Sequence, residues 1–429
     1  MAEAPPSPRC RAVIAGYGFV TPIGSTPEAV WESLRTGKTG IRKIQTFDAT
    51  PLPCHIGGEI PDFVARNVIE KSYRKSLNAM ARPVQLGVVA SQFAMQNMGL
   101  VKGSISPERF GIEFASVMGA TELNDLARMS KVCTSGSRQP VDMEAYGRDA
   151  VPEMPPMWML KYLPNMPACH VTILYDAQGP SNTLIPNDAA GVEAVGEALR
   201  ILRRGAADFM LVGGSESKIN PLSLSRFNSF FPVTHDNEHP TTAVRPFDRD
   251  ASGTCLGEGG AAFGLETLEH AQKRGAKIVG EVVGYASGMD RGHKGPGLAR
   301  IIRSALADAG ITPADVDHVN AHGLGVKAYD AFEARAIAEV FGKSVPVFAP
   351  LSRFGNMGGA SGIMELLCSV LALQHGELPG TLNHDNPFPG CPIAVYTGAP
   401  RNVTKPYAVK TSYTDLAQCA AAVVKKWEA

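Results

Sequence analysis

The residues of this 429-residue chain that could do chemistry together are Asp188, His322 and Asn356. Asp188 directly precedes a run with helical periodicity, and His322 follows an apolar, strand-like run that ends in His-Gly. A carboxylate paired with a histidine can act as a general base. An aspartate that begins a helix more often accepts backbone N–H bonds and complements the helix dipole. We therefore expect Asp188 to cap a helix, with acid–base chemistry beside His322 as the alternative.

The other candidate residues favour structural roles. A lone histidine at the end of a strand, such as His322, is more often a hydrogen-bonded turn residue than a catalyst. Asn356 lies in Gly-Asn-Met-Gly and fits a glycine turn. The spacing of His235, Asp236 and His239 would suit metal ligands, but their loop is polar and ends in proline, which favours a solvated turn. We expect neither a metal nor a cofactor.

The elements that must position these residues repeat along the chain. A buried strand that ends near a glycine is indicated at residues 10–18 and again at 277–286. A helix, a glycine stop, a strand and a glycine turn follow one another over residues 191–214 and again over 298–323. This alternation is typical of a parallel α/β sheet. The sequence therefore predicts an α/β protein with two duplicated halves.

We place the division after the helical run that ends at Ala271, so that residues 1–272 form the first half and residues 273–429 the second. Within the first half, residues 122–167 are rich in proline and show no clean periodicity. Such an insertion is expected to cover a sheet edge or to reach a partner subunit. Its methionines and Trp158 suit an interface, a tunnel lining or a small core beneath a loop.

Composition excludes several classes of function. Lys+Arg and Asp+Glu balance at 41 each, so no overall field attracts the chain to nucleic acid or to an anionic membrane. No apolar run reaches the roughly 20 residues of a membrane-spanning helix, and residues 1–8 are proline-rich and acidic, unlike a secretory signal. The eight cysteines form no Cys-x-x-Cys pair, which favours reduced thiols. We expect a cytoplasmic protein.

Five segments, residues 16–24, 245–248, 257–259, 319–323 and 358–362, occur in the order of a known family. Together they resemble the elongating β-ketoacyl-acyl-carrier-protein synthases of the thiolase-like family. The resemblance implies a five-layered α/β/α/β/α fold that works as a dimer. In active members a cysteine at the head of a buried helix forms an acyl thioester, two histidines stabilise developing negative charge, and a lysine supports the pocket.

The same resemblance indicates that this chain has lost the groups that do that chemistry. Asp188 stands at the position of the cysteine, and a carboxylate cannot form the thioester. His322 retains the first histidine. Asn356 replaces the second histidine, and Leu351, five residues earlier, replaces the lysine.

Groups that hold the substrate are replaced as well. Leu324 and Val326 stand where the family carries two threonines that bind the pantetheine arm. The glycine-rich gate near the C-terminus becomes residues 411–419, which include Asp415 and contain no glycine. Without those glycines, backbone N–H groups are less able to face an oxyanion.

This joint loss is similar to the chain-length factor, the inactive partner of a type II polyketide or polyene ketosynthase, which shapes the acyl tunnel of the active subunit. Most such subunits carry glutamine where this chain has Asp188. We expect a heterodimer with an active ketosynthase in polyketide, polyene or fatty-acid biosynthesis, and contact with an acyl carrier protein through that complex. Family position points to Met118 and Thr121 as the neighbourhood of the tunnel.

Three alternatives stay open at this point. Asp188 and His322 could hydrolyse or decarboxylate acyl thioesters. The chain could elongate fatty acids through an unconventional nucleophile, or it could bind an acyl chain as a homodimer without turnover. Asp188 could also serve only to repel an acyl anion from a vestigial pocket.

Overall fold

The structure, a computed structural model, describes residues 10–117, 119, 121–134 and 140–428. The strands in this part of the chain are β1 (Ala12–Val20), β2 (Ile41–Lys43), β3 (Ile56–Gly58), β4 (Phe110–Ala115), β5 (Ser181–Leu184), β6 (Phe209–Ser217), β7 (Glu258–Thr267), β8 (Gly280–Met289), β9 (Val316–Asn320), β10 (Pro346–Phe348), β11 (Glu377–Leu378), β12 (Ala394–Val395), β13 (Arg401–Asn402), β14 (Tyr407–Tyr413) and β15 (Gln418–Lys426). The α-helices are α1 (Pro27–Arg35), α2 (Ala65–Val68), α3 (Arg82–Asn97), α4 (Leu123–Thr134), α5 (Met143–Ala145), α6 (Trp158–Tyr162), α7 (Met166–Tyr175), α8 (Ala190–Arg203), α9 (Pro221–Phe230), α10 (Leu268–Lys273), α11 (Pro296–Ala309), α12 (Lys327–Phe341) and α13 (Ser361–His375).

Eleven of these strands form one mixed sheet in which the same pattern occurs twice. The first half contributes β5-β4-β6-β7-β1 and the second contributes β10-β9-β14-β15-β8, with β12 added beyond β10. In both halves the first three strands of this order are parallel and the last two are antiparallel to their neighbours. The halves meet where β1 pairs with β8. This order confirms the duplicated α/β fold.

Two helices form the central layer of the fold. Helix α8 packs against β4 and β6 of the first half and against β14 and β15 of the second, and α13 lies beside it. The two helices approach closely at glycines: a Cβ added at Gly191 would lie 2.7 Å from the backbone nitrogen of Ile363, and one added at Gly362 would lie 2.9 Å from that of Val192. Helices α3 and α11 pack on the outer faces. The five layers are thus α3, the strands of the first half, α8 with α13, the strands of the second half, and α11. This arrangement brings the first turns of α8 and α13 together.

The repeat that the sequence indicated at residues 191–214 and 298–323 matches two helix–strand units that do not occupy equivalent places in the two halves. The order of the strands makes α8 followed by β6 the counterpart of α13 followed by β14, whereas α11 followed by β9 corresponds to α3 followed by β4. The reason is that every helix–strand unit of such a fold shows the same local pattern. The division between residues 272 and 273 stays a prediction.

The proline-rich insertion contains two kinds of apolar side chain. Met129, Cys133 and Ala150 form a small cluster with Met154 packed against it. Met159, on the short helix α6, is exposed. The insertion thus has both a satellite core and an apolar surface. No helix in the described ranges is long and apolar enough to cross a membrane.

Candidate functional site

Asp188 lies in a single 3-10 turn between the edge strand β5 and the central helix α8. The preceding residue, Asn187, is exposed and has a φ of 43°, whereas Asp188 is only 8% exposed. Ser412 Oγ donates a hydrogen bond to the backbone oxygen of Asp188 at 2.5 Å, which fixes the turn to β14. The N-cap of α8 is Ala189, without a side-chain bond. The prediction that Asp188 caps the helix is therefore wrong.

The Asp188 carboxylate instead faces two cationic side chains. Lys218 Nζ lies 3.7 Å from Oδ1, and His322 Nε2 lies 3.8 Å from Oδ2. Asn356 completes the group, because its Nδ2 donates to Asp188 Oδ2 at 3.3 Å while its Oδ1 accepts from Lys218 Nζ at 2.8 Å. All four residues are buried. We call Asp188, Lys218, His322 and Asn356 the Asp188 network.

Electrostatics keeps Asp188 charged. Burial alone would raise the pKa of its carboxyl, but Lys218, His322 and Asn356 outweigh burial and lower that pKa below its usual range. A carboxylate whose pKa lies far below the working pH is a weak general base. The geometry therefore supports an ion pair more than an acid–base couple.

A second set of charged side chains, Glu365 and Lys410, lies on the other side of His322. Its Nδ1 lies 3.0 Å from Glu365 Oε1, and Lys410 Nζ lies 2.6 Å from the other oxygen of Glu365. Burial would lower the pKa of the imidazole, but the negative charges of Glu365 and Asp188 raise it to about 10. Glu333 fixes the backbone by accepting the N–H of His322 at 2.8 Å. His322 is thus an imidazolium locked between carboxylates.

Lys218 is the member of the network that the sequence did not reveal. It follows β6 directly, and its Nζ lies 4.8 Å from the centre of the Phe227 ring. Leu351, at the position where the resemblance implies a lysine, is fully buried in an apolar cluster with Leu324 and Val326. The lysine beside Asp188 therefore comes from the residue that follows β6, and not from the 3-10 turn that contains Leu351. The available signal was a lysine at the end of a continuously buried strand, where lysine is rare.

Glu216 is a further titratable group near the network. It is buried on β6, two residues before Lys218, and its Oε2 has no hydrogen-bond partner within the described residues. Burial raises the pKa of its carboxyl to about 7, although the positive charge of Lys218 opposes this shift.

In the gate segment, residues 411–419, three backbone N–H groups donate hydrogen bonds to Thr414. The N–H groups of Leu416 and Gln418 donate to Thr414 Oγ1, each at 3.2 Å, and that of Ala417 donates to the backbone oxygen of Thr414 at 3.0 Å. Ala417 adopts a φ of 68°, so the left-handed turn persists without glycine. These three N–H groups are not available to an oxyanion. Asp415 is exposed and does not join the Asp188 network.

The structure does not bring the remaining candidates into the network. Thr121 is half-buried just before α4, and Met118 lies outside the described residues, so their place beside a tunnel stays a prediction. His239 Nδ1 lies 2.8 Å from Asp236 Oδ1 in an exposed pair. The described ranges contain no group of His, Cys, Asp and Glu side chains suited to a metal ion.

Cysteine is a poor substitute nucleophile here. Cys419, in the gate segment, is buried, and burial raises the pKa of its thiol to about 12. Cys255 is also fully buried, and its thiol pKa is raised well above the ordinary value. Reactive cysteines are partly exposed and have lowered pKa values. Neither thiol fits that description.

Comparison with known proteins places this geometry in a family. The model of the β-ketoacyl synthase N-terminal domain matches residues 10–271, and that of the β-ketoacyl synthase C-terminal domain matches residues 279–385. A Synechocystis protein named 3-oxoacyl-[acyl-carrier-protein] synthase 2 is 34% identical over 412 residues, which cover 94% of this chain and 95% of the relative. A protein of the same name from Coxiella burnetii is 32% identical and covers 89% of this chain and 90% of its own.

Solved structures show the same fold. A structure titled the ishigamide ketosynthase/chain length factor has a TM-score of 0.86 and 29% sequence identity, and covers 98% of this chain and 100% of that one. A β-ketoacyl synthase from Burkholderia phymatum has a TM-score of 0.87 and 26% identity over the same shares. A type II polyketide synthase acyl-carrier protein in complex with its ketosynthase has a TM-score of 0.81 and 25% identity, again covering 98% and 100%.

Proposed function

The chain belongs to the β-ketoacyl synthase family, and we propose that it is a non-catalytic subunit that pairs with an active ketosynthase and shapes its acyl tunnel. The Asp188 network is the observation that carries this proposal. At the head of the central helix, where active members need a thiolate, this chain places a carboxylate that is tied to two cations. A carboxylate there cannot hold an acyl group as a thioester.

The energetics of the network oppose substrate binding at the same place. An acyl carbonyl that entered would have to separate buried charges that now compensate one another. Leaving one member of a buried ion pair without its partner costs about 3–5 kcal/mol. Entry of an acyl carbonyl between these groups is therefore unfavourable.

The exposed edge of the sheet supports pairing with another subunit. Strand β5 ends the sheet and pairs only with β4 within the described ranges. Beside it, Ile185 is 58% exposed and Leu416 is 70% exposed; Met289, which is 48% exposed, lies opposite Gln418 in the register of β8 and β15. An unpaired strand edge with exposed apolar side chains is a template for association. We call this region the β5 edge surface.

Two structural neighbours support the identity of the partners. One is titled a ketosynthase/chain length factor, and another a ketosynthase in complex with an acyl-carrier protein. We therefore take an active ketosynthase as the partner and an acyl carrier protein as a contact of the complex, in polyketide, polyene or fatty-acid biosynthesis. A cytoplasmic location stays a prediction.

Co-expression with each active ketosynthase of the source organism tests the proposal. We expect a one-to-one complex by native mass spectrometry, condensing activity only when both subunits are present, and full activity when Asp188→Asn replaces the wild-type chain. A stable homodimer that ignores every such ketosynthase would contradict the proposal. Thioester hydrolysis or decarboxylation by the isolated chain that Asp188→Ala abolishes would instead support an acid–base enzyme.

A further inference from the structure

A cavity of about 380 Å³ opens on the β5 edge surface, directly beside the turn that carries Asp188. Apolar side chains contribute much of its lining, among them Ile185, Pro186 and Leu416. Glu193, in the first turn of α8, is the one charged residue among the residues that line it. The cavity therefore combines apolar and uncharged polar side chains with a single carboxylate.

The Glu193 carboxylate has no cation of its own. It is half-buried and forms no hydrogen bond or ion pair with any described residue. Burial raises the pKa of its carboxyl. One turn further along α8, Glu197 is different, because Arg200 lies 3.9 Å and Arg204 lies 3.8 Å from its carboxylate oxygens. Arg200 and Arg204 thus lie beside Glu197, and Arg203 pairs with Asp308.

A second carboxyl without a cation partner lies on the strand next to the edge strand, in the same sheet. Glu113 is on β4, opposite Asn182 of β5, and is almost fully buried. Its Oε2 has no hydrogen-bond partner within the described residues, and burial, assisted by the charge of Glu197, raises its pKa to about 8. Glu113 is therefore largely uncharged at pH 7, which leaves Glu193 as the carboxylate at this edge that lacks a cation.

We propose that the cavity receives an arginine or lysine side chain of the partner ketosynthase, which crosses the β5 edge and pairs with Glu193. This inference rests on the proposed function, because it takes a ketosynthase as the partner. The aliphatic part of a basic side chain can lie along Ile185 and Leu416 while its charged end reaches the carboxylate. Arginine fits best, because its planar group can donate two parallel hydrogen bonds to one carboxylate.

The same charge disfavours pairing of the chain with itself. In a two-fold symmetric dimer the same patch faces its own copy. The residues that line the cavity include no lysine or arginine, so a second copy would add like charge and no compensating cation. Uncompensated charge at an interface penalises the wrong partner. Glu193 thus selects the heterodimer over the homodimer.

The test compares Glu193→Gln with Glu197→Gln. Both variants remove one charge from the same face of α8, but Glu197 already has two arginines on its own subunit. We expect Glu193→Gln to weaken the heterodimer at least about 10-fold, Glu193→Lys to weaken it further, and Glu197→Gln to change it less than about 3-fold. Interferometry at low and high salt measures these constants, and Glu193→Gln should reduce their salt dependence.

Each outcome bears on a distinct claim. If the wild-type heterodimer forms and Glu193→Gln binds as tightly as Glu197→Gln, the ion pair is refuted while the proposed function stands. If the wild-type chain forms no heterodimer with the ketosynthase, the proposed function fails and the inference fails with it. Unchanged thermal unfolding of Glu193→Gln separates a binding defect from a folding defect, and an increased homodimer fraction in that variant is the expected accompanying result.

Discussion

Replacing Lys218 with methionine is the perturbation that tests the Asp188 network most sharply. Methionine keeps an unbranched side chain of similar length but removes the ammonium, which lies 3.7 Å from Asp188 Oδ1 and 4.8 Å from the centre of the Phe227 ring. Loss of one partner of a buried ion pair typically costs about 3–5 kcal/mol. Because His322 and Asn356 remain beside the carboxylate, we expect a smaller loss of about 2–4 kcal/mol at pH 7.

The pH dependence of this loss has a definite sign. The pKa of Asp188 is lowered in the folded chain, so its charge contributes stability above its unfolded pKa of about 4, and that stability is lost as the pH falls through the folded pKa. Removing Lys218 raises the folded pKa. The deficit of Lys218→Met should therefore be complete at pH 7 and shrink as the pH falls below about 4.

Urea unfolding of four proteins measures the effect: the wild type, Lys218→Met, Asp188→Asn and the double variant. The losses of unfolding free energy in the two single variants should add up to about 1–3 kcal/mol more than the loss in the double variant. The reason is that both single changes remove the same interaction. Lys343→Met, at an exposed lysine, should stay within about 0.5 kcal/mol of the wild type. A wild-type midpoint for Lys218→Met, or strictly additive deficits, would refute the reasoning.

Three further changes have defined outcomes. Glu216→Gln should gain stability relative to the wild type as the pH rises from about 4.5 to about 7, because the buried carboxyl ionises only near pH 7; urea midpoints across that range check it. His322→Gln should lose most stability below pH 6.5, with the deficit declining towards pH 10 as the wild-type imidazolium deprotonates. Asp188→Cys should react with iodoacetamide more slowly than free cysteine, because this position is only 8% exposed; a rate equal to that of free cysteine would contradict a closed network.

The sequence predicted the fold because its signals are local. Buried apolar strands, helices of period 3.6 and glycine stops recur in both halves, and the strand order confirms the duplication, although one of the two repeats matched units that are not equivalent. Local preference failed at Asp188, where helix-capping statistics were overridden by cations that come from distant segments. Lys218 was missed because its contacts also come from distant parts of the chain. Its partner Asn356 lies 138 residues away, and nothing in the chain near Lys218 shows that the two meet.

The most direct test of the central claim is intact-protein mass spectrometry of the two subunits after incubation with an acyl-loaded carrier protein and a malonyl-loaded carrier protein. We predict an acyl adduct on the partner ketosynthase and an unmodified mass for this chain, both alone and in the complex. An acyl adduct on this chain that forms without a partner and grows by two carbons would contradict the account.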